Sequence, residues 1–410
     1  MQEVGKQDMD WMNRQEEGNR RELARLEGEL KGYKNNLIRE SIRMGQEDLA
    51  NHLLSTGGPV PDPSNPASQT SSGYHAAYQA FGKMRDFCTT PTHVASMTLK
   101  LLYTALLHSV AAQQQGASPV LHLNSTLTNA SRIRTVGVKE EDMIRLTPIM
   151  HTVVGIANLG LGSYKEAAIA FLACPPEYAT LGSVHGTDFT KAVASGNDIA
   201  IYGGLCALAT MSRDDLIAVV LGGSFRTFLE LEPHMRKAIS LYTTAKYQAC
   251  LSTLRHYYSD WSLDIFLGAP AASTGESHVD RLLARIREKS ITAYFSSFSQ
   301  VSLSSLAATF PPATGGDPMA AMEAEILSLI ESGTLDARLD VVNGILIAPQ
   351  KEARASTHAD ARAAADEVER TLLLRLHKVN VALAGLEVPK GKAVGWGGVG
   401  DAGVRVGNGH

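Results

Sequence analysis

Aromatic residues make up only 6% of this 410-residue chain, and cysteine is scarcer still. The four cysteines, Cys88, Cys174, Cys206 and Cys250, form no Cys-x-x-Cys pair, so the spacing of a zinc site is absent. Each lies in an apolar stretch, and we expect reduced, buried thiols. The chain also lacks an uninterrupted apolar run of about 18 residues and an apolar signal core near Met1. The sequence therefore predicts neither a membrane span nor secretion.

Enzyme motifs are missing as well. The chain has no phosphate-binding loop of the G-x-x-x-x-G-K type, no H-E-x-x-H and no G-x-S-x-G. A literal G-x-G-x-x-G at 395–400 follows a helical pattern instead of a strand, which favours chance. Four histidines within helical patterns, His75, His93, His108 and His151, are interpreted as packing or surface residues. We predict that the chain is not an enzyme and binds no cofactor or metal.

Composition favours a folded protein with a sizeable core. Hydrophobic residues make up 44% of the chain, charged residues 20%, and the formal net charge is -4. A chain of this length allows about two to four domains or one extended repeat array. The slightly acidic balance argues against broad, sequence-independent DNA binding, which depends on Lys and Arg at the phosphates.

The N-terminal residues 1–55 are predicted to be a helical segment. Leu23, Leu26, Leu30 and Leu37 are spaced by three, four and seven, which places them on one face of a helix. Residues 56–73 follow as a flexible insertion, since their four prolines interrupt regular structure.

Residues 74–267 are predicted to form a helical-repeat array. An aromatic, a small and an apolar residue recur at i, i+3 and i+7, one face of a helix. The three copies are Tyr74-Ala77-Phe81, Tyr164-Ala167-Phe171 and Tyr247-Cys250-Leu254. The middle copy, preceded by Leu161-Gly162, resembles a tetratricopeptide hairpin, in which the small residue lets a partner helix approach. The alternative is a set of ordinary amphipathic helices, which is still an all-α array.

Residues 279–354 are predicted to be a winged helix. Three helical patterns, Val279–Phe298, Ser302–Phe310 and Met319–Ser332, precede an alternating segment, an Asn-Gly turn and a β-branched run. Such a sequence is typical of a β-hairpin. We expect the hairpin to offer a free edge that a neighbouring subunit extends. The predicted edge residues are Leu335, Ala337, Leu339, Ile345, Leu346 and Ile347.

Residues 355–387 are predicted to be a long final helix, and 388–410 a disordered tail. Apolar residues step by three or four along this helix and form a continuous seam, which predicts a packing partner. The seam residues are Ala361, Ala365, Val368, Leu372, Leu376, Val379, Leu383 and Leu386.

A winged helix also raises the hypothesis of DNA binding through its third helix. That helix contains Glu323, Glu325 and Glu331 and no Lys or Arg, so its carboxylates would repel phosphate. We therefore predict no nucleic-acid partner and no transcription-factor role.

Several motifs resemble the PCI-domain family, which has this order of helical repeats, winged helix and terminal helix. Lys31–Gly45, Asn197–Thr210 and Ser224–Pro233 are similar to segments of the subunit 1 family of the COP nine signalosome. Ala293–Phe295 and Ile330–Gly333 continue the likeness, which covers roughly residues 25–385. The related subunit family of the proteasome lid shares the layout and is the alternative. Family members usually carry further helical repeats before Lys31.

The resemblance implies a mainly α fold with a tetratricopeptide-like array, a winged-helix PCI domain and a C-terminal helix. It also implies a non-catalytic scaffold in the nucleus and cytoplasm, within a complex that removes a ubiquitin-like modifier from cullins. Expected partners are other signalosome subunits, with subunits 2 and 3 as neighbours, and cullin-RING ligases through the complex. The metalloprotease activity would belong to another subunit. The predicted hairpin and the apolar seam match the parts by which such subunits join.

Overall fold

The structure of the protein is a computed structural model that describes residues 9–57, 73–271, 275–311, 317–349 and 353–385. The chain divides into two compact units, Met1–Ile347 and Ala348–His410. Most of the predicted insertion, the predicted tail and the G-x-G-x-x-G run lie outside the described residues. The prediction of a mainly α fold is confirmed, since one short three-stranded sheet accompanies a long series of helices.

Two helices, α1 (Met9–Asn35) and α2 (Arg39–Ser55), begin the described part of the first unit. Leu26 and Leu30 are buried, as the leucine spacing predicts. Leu37 is not on the same helical face, and that prediction is wrong. The chain turns at Asn36, where helix α1 has ended, and Leu37 adopts a positive φ of 57° with 81% of its surface exposed.

The repeat array follows as a series of helices, in which α4 packs on α5, α6 on α7 and α12 on α13. Their bounds are α3 (Gly73–Lys83), α4 (Pro91–Gln114), α5 (Val120–Thr135), α6 (Glu140–Gly160), α7 (Tyr164–Leu172), α8 (Phe189–Ala192), α9 (Gly196–Thr210), α10 (Arg213–Asp215), α11 (Arg226–Leu231), α12 (Pro233–Thr243), α13 (Tyr247–His256) and α14 (Tyr258–Ser262). Single turns of 3-10 helix at Met84–Phe87 and Pro176–Thr180, and a π-helical turn at Leu216–Leu221, lie between them.

The three recurring triplets fall on α3, α7 and α13, and all their members are buried except Tyr74, which is half-buried. Tyr164, Ala167 and Phe171 are at most 1% exposed. Ala77 and Phe81 on α3 are fully buried as well. The small residue at the middle position, alanine in α3 and α7 and cysteine in α13, lets a neighbouring helix pack closely.

Helix α9 is the centre of this packing, because eleven of its fifteen residues are buried. A capping box fixes its start: Ser195 Oγ accepts from the backbone N–H of Asp198, whose carboxylate accepts from the Ser195 N–H. Gly203 lets aromatic rings approach the helix, since a Cβ there would lie 2.6 Å from the Phe225 ring and 3.0 Å from Phe171 Cβ. The Gly-Gly pair of this segment therefore serves the close packing of this helix.

Helix α4 is the one described helix that is long and apolar enough to cross a membrane by length and composition. However, 61% of its most apolar window is buried inside the protein. It packs against α3 and α5. Its apolar character is that of a core helix in the array.

The winged helix closes the first unit. Its elements are α15 (His278–Phe295), β1 (Gln300–Ser302), α16 (Leu303–Thr309), α17 (Pro318–Glu331), β2 (Arg338–Asp340) and β3 (Ile345–Ile347). The strands form an antiparallel sheet in the order β1-β3-β2, in which Leu346 lies opposite both Val301 and Leu339. The second unit contains one described helix, α18 (Ala353–Leu383).

A buried histidine joins the repeat array to the winged helix. His278, the first residue of α15, shares a 2.9 Å hydrogen bond between its Nδ1 and the Tyr164 hydroxyl. The His278 side chain is fully buried, and its Nε2 has no partner among the described residues. Desolvation, aided by the nearby Arg281, lowers the pKa of His278 to about 4.

We expect this histidine to make the protein sensitive to acid. In the unfolded chain its pKa is about 6.5, so the unfolded state binds the proton first as the pH falls. The contribution of His278 to stability is therefore complete above pH 6.5 and falls by about 3 kcal/mol as the pH falls toward 4. In urea unfolding, the acid decline of His278→Gln should be smaller than that of the unmodified chain by most of this amount, whereas replacement of the exposed His256 by Gln should leave the decline unchanged. An equal decline in both variants would contradict the assignment.

Candidate partner surfaces

Only part of the predicted free edge of the hairpin lies at an edge of the sheet. Ile345–Ile347 forms the central strand, because β1 pairs with its other side. The prediction that these residues lie at an open edge is therefore wrong. The outer edges of the sheet belong to β2 (Arg338–Asp340) and β1 (Gln300–Ser302). Strand β1 has three residues with one buried side chain, too few for an alternating pattern to show.

The six predicted edge residues divide between core and surface. Leu335 and Leu346 are buried in the winged helix, at 4% and 0% exposure, and cannot contact a partner. Ala337, Leu339 and Ile345 are half-buried, and Ile347 is exposed. Of the six predicted residues, Ala337 and Leu339 are therefore those that could contact a neighbour at the β2 edge, and their role there stays a prediction.

The tip of the wing is an apolar surface that the sequence reasoning missed. Val341 is 60% and Val342 94% exposed. Asp340 fixes the turn: its carboxylate accepts from the Asn343 side chain and from the backbone N–H groups of Val342 and Asn343. These hydrogen bonds lower the pKa of Asp340. The sequence could have indicated this surface, because Val341 and Val342 are two β-branched residues directly before Asn-Gly, where polar turn residues are usual.

A salt bridge between an arginine and a glutamate connects two helices of the winged helix. Arg287 on α15 donates from Nε and Nη2 to the two carboxylate oxygens of Glu325 on α17, at 2.7 and 2.9 Å. The same guanidinium donates to the backbone carbonyls of Phe310 and Pro311 at 2.9 and 3.0 Å. One of the three glutamates of the third helix is therefore engaged inside the fold.

The other basic residues of α15 contact the repeat array. Lys289 donates to the carbonyls of Leu208, at 2.7 Å, and Met211 at the end of α9. The guanidinium carbons of Arg281 and Arg285 lie 5.8 and 5.0 Å from the centre of the Tyr164 ring, within the range of cation–π attraction. These side chains hold the winged helix against the array.

Removal of the Arg287 side chain is expected to destabilise the winged helix by about 3 kcal/mol, because Glu325 and the Phe310 carbonyl lose their charged donor, while the Pro311 carbonyl keeps a hydrogen bond of 3.4 Å from Arg255. Arg287→Leu should show this loss in urea unfolding. Arg287→Lys keeps the positive charge but cannot donate two parallel hydrogen bonds to the carboxylate. Its free energy of unfolding should therefore lie between those of Arg287→Leu and the unmodified chain. The double variant Arg287→Leu with Glu325→Leu should regain part of the loss, since no unpaired carboxylate remains. A double variant less stable than Arg287→Leu would contradict this account.

Helix α18 carries the predicted seam on an exposed surface. Exposed fractions are 59% for Val368, 58% for Leu372, 57% for Leu376 and 53% for Val379. Ala361, Ala365 and Leu383 are exposed too, and Leu386 lies outside the described residues. A row of large apolar side chains at this exposure is typical of an interaction surface, and the packing of this helix with a partner stays a prediction.

No group of three or more His, Cys, Asp or Glu side chains within the described part of the chain could hold a metal ion. Three of the cysteines, Cys174, Cys206 and Cys250, are buried, and Cys88 is half-buried; all four are free thiols. Burial raises the pKa of Cys174 and Cys250 to about 12, so both are neutral at physiological pH.

Comparison with known proteins agrees with this architecture. Residues 8–59 and 71–219 match the family profile of 26S proteasome subunit RPN7, and residues 251–350 match that of the PCI domain. The chain is 39% identical over 388 residues to COP9 signalosome complex subunit 1 of Emericella nidulans, covering 93% of this chain and 69% of that protein. It is 34% identical to the Neurospora crassa protein of that name and 30% identical to the Arabidopsis thaliana one. These two alignments cover 93% and 91% of this chain, and 76% and 74% of the relatives.

A helical array followed by a winged helix that matches the PCI profile defines the class of protein: the chain is a PCI-domain protein. Within that class, the chain belongs to the family of COP9 signalosome complex subunit 1. The resemblance of the Lys31–Gly45 and Asn197–Thr210 segments predicted this family, and the prediction is confirmed.

Proposed function

We propose that the chain is a non-catalytic scaffold subunit of the COP9 signalosome. In this role it supports the removal of a ubiquitin-like modifier from cullins and thereby the regulation of cullin-RING ubiquitin ligases. The observation that carries the proposal is the likeness to subunit 1 relatives along 93% of the chain. The metalloprotease activity is assigned to a different subunit.

Two surfaces are proposed to join the chain to its neighbours, with signalosome subunits 2 and 3 as the direct ones. The first is the outer edge of β2, whose backbone groups can extend a sheet into a neighbouring winged helix. The second is the seam of α18 from Ala361 to Leu383, which is proposed to be buried in a helical bundle of several subunits.

Nucleic acid is not a proposed partner, and the complex is proposed to act in the nucleus and cytoplasm. Glu323 and Glu331 on α17 would oppose the phosphates of DNA. The basic residues Arg287 and Lys289 on α15 are bound to glutamate and to backbone carbonyls within the fold.

A reconstituted deneddylation assay tests the proposal. The remaining signalosome subunits are assembled with or without this chain, and the release of the modifier from a neddylated cullin is timed. We expect the rate to fall at least about tenfold without the chain, since the complex then assembles poorly. The chain alone should release nothing. An unchanged rate without the chain would contradict the scaffold role.

A second candidate is the related PCI subunit of the proteasome regulatory lid. The match of residues 8–59 and 71–219 to the RPN7 family profile favours it. It predicts that the tagged chain co-purifies with proteasome subunits and that its loss leaves deneddylation unchanged.

A further inference from the structure

A groove of about 650 Å³ lies on the N-terminal half of the repeat array, and its lining residues all belong to the segment from Tyr78 to Val136. Three helices form it: α3 contributes Tyr78 and Gly82, α4 contributes its first turns, and the end of α5 contributes Arg132. The volume is within the range of sites that bind a small ligand or a peptide side chain.

The floor of the groove is apolar. Val94, Met97 and Leu101 of α4 line it at i, i+3 and i+7, and Val136 closes one side. Gly82 leaves space above this floor, since no heavy atom lies within 4 Å of a Cβ built on it. An apolar side chain of a partner can therefore enter without displacing the protein.

The rim of the groove is positively charged. Arg85 and Arg132 line it, and the lining residues that the structure describes include no carboxylate. Asn129 positions Arg132, because its Oδ1 accepts from Arg132 Nη1 at 3.3 Å while its amide donates to the Tyr78 hydroxyl at 3.1 Å. Among the described residues, the Arg85 side chain has no hydrogen-bond or ion-pair partner.

The start of α4 adds to this positive potential. Thr90 and Pro91 line the groove at the N-terminus of this 24-residue helix, whose first turn contains no acidic residue. The partial positive charge of the helix end is therefore not neutralised within that turn. Of the acidic residues near Cys88, Glu40 and Glu47 form ion pairs with Arg43 and Lys100. Asp86 is exposed next to Arg85 in the chain but is not among the lining residues of the groove.

From these features we infer that the groove binds an acidic peptide segment of a partner protein, with one large apolar side chain on the α4 floor and carboxylates at Arg85 and Arg132. Charge complementarity selects this occupant: two guanidinium groups and a helix N-terminus surround an apolar slot. The inference does not depend on membership of a particular complex, since none of these residues belongs to the wing or α18.

Fluorescence anisotropy with two labelled peptides tests it. The full chain is titrated into Glu-Asp-Leu-Phe-Glu-Asp and into Lys-Lys-Leu-Phe-Lys-Lys, which share the apolar centre. We expect the acidic peptide to bind at least about tenfold more tightly, a difference of about 1.4 kcal/mol. Gly82→Leu should fill the slot and abolish binding. Gly32→Leu on α1, also a helical glycine with no atom within 4 Å, should leave binding unchanged.

Charge reversal provides a gain of function that a misfolded variant could not show. Arg85→Glu combined with Arg132→Glu should bind the basic peptide in preference to the acidic one. Equal binding of both peptides, or no binding of either, would overturn the inference. So would concentration-dependent self-association that Gly82→Leu abolishes, because the occupant would then be a second copy of this chain.

Discussion

Leu376→Glu is expected to release the chain from its complex, whereas Leu374→Glu is expected to leave it assembled. Both leucines are 57% exposed on α18 and both changes introduce the same charge. Leu376 lies on the seam between Leu372 and Val379. Leu374 is two residues from Leu372, about 200° around a helix of 3.6 residues per turn, and faces the other way.

The expected size of the effect follows from the burial of the seam in a helical bundle. Burial of a leucine is worth about 1.5–3 kcal/mol, and a charged group without a partner there costs more. A loss of about 3 kcal/mol weakens association roughly 100-fold. Co-purification with the other subunits measures it, with circular dichroism as the control for folding. Release of both variants, or of neither, would contradict the seam as a partner surface.

Phe171→Ala is expected to destabilise the repeat array by about 3–5 kcal/mol, the usual cost of emptying a buried aromatic site. The ring is fully buried on α7, and its centre lies 5.9 Å from that of Tyr202 on α9. A Cβ built on Gly155 would lie 2.5 Å from the ring. The ring can therefore occupy its site only because position 155 has no side chain.

A double-mutant cycle tests this fit. Gly155→Ala alone should lower the free energy of unfolding by about 1–3 kcal/mol through overpacking, although alanine favours a helix by about 1 kcal/mol relative to glycine. In the Phe171→Ala background the same change should cost nothing, because the clash has gone. Gly18→Ala on α1, with nothing within 4 Å, is the control and should stabilise slightly. Equal costs in both backgrounds, read from urea unfolding, would show that the ring does not set the constraint.

The helical architecture was readable from the sequence because long periodic segments carry a strong signal. The i, i+3, i+7 triplets placed Ala167 and Phe171 in the core, and the Asn-Gly turn placed the hairpin. The sequence did not indicate strand β1, because an alternation of apolar and polar residues cannot be recognised over three residues. Because β1 was not predicted, β3 was expected at a free edge. In the structure β3 is the middle strand of the sheet.

The candidate surfaces differ in how far a sequence can predict them. The α18 seam is local, so a step of three and four residues along one helix was sufficient to define it. The groove residues Gly82, Leu101 and Arg132 lie on three successive helices, so they are not neighbours on one helix face. Only the packing of α3, α4 and α5 brings its arginines and its apolar floor together, and no local pattern records that.

Affinity purification of the tagged full chain from its own cells, with mass spectrometry of the partners, tests the scaffold role most directly. We predict a complex of signalosome subunits that includes the metalloprotease and releases the modifier from cullins. Leu376→Glu in the same experiment should recover the chain without them. Recovery of proteasome subunits, or of the unmodified chain alone, would contradict the proposed function.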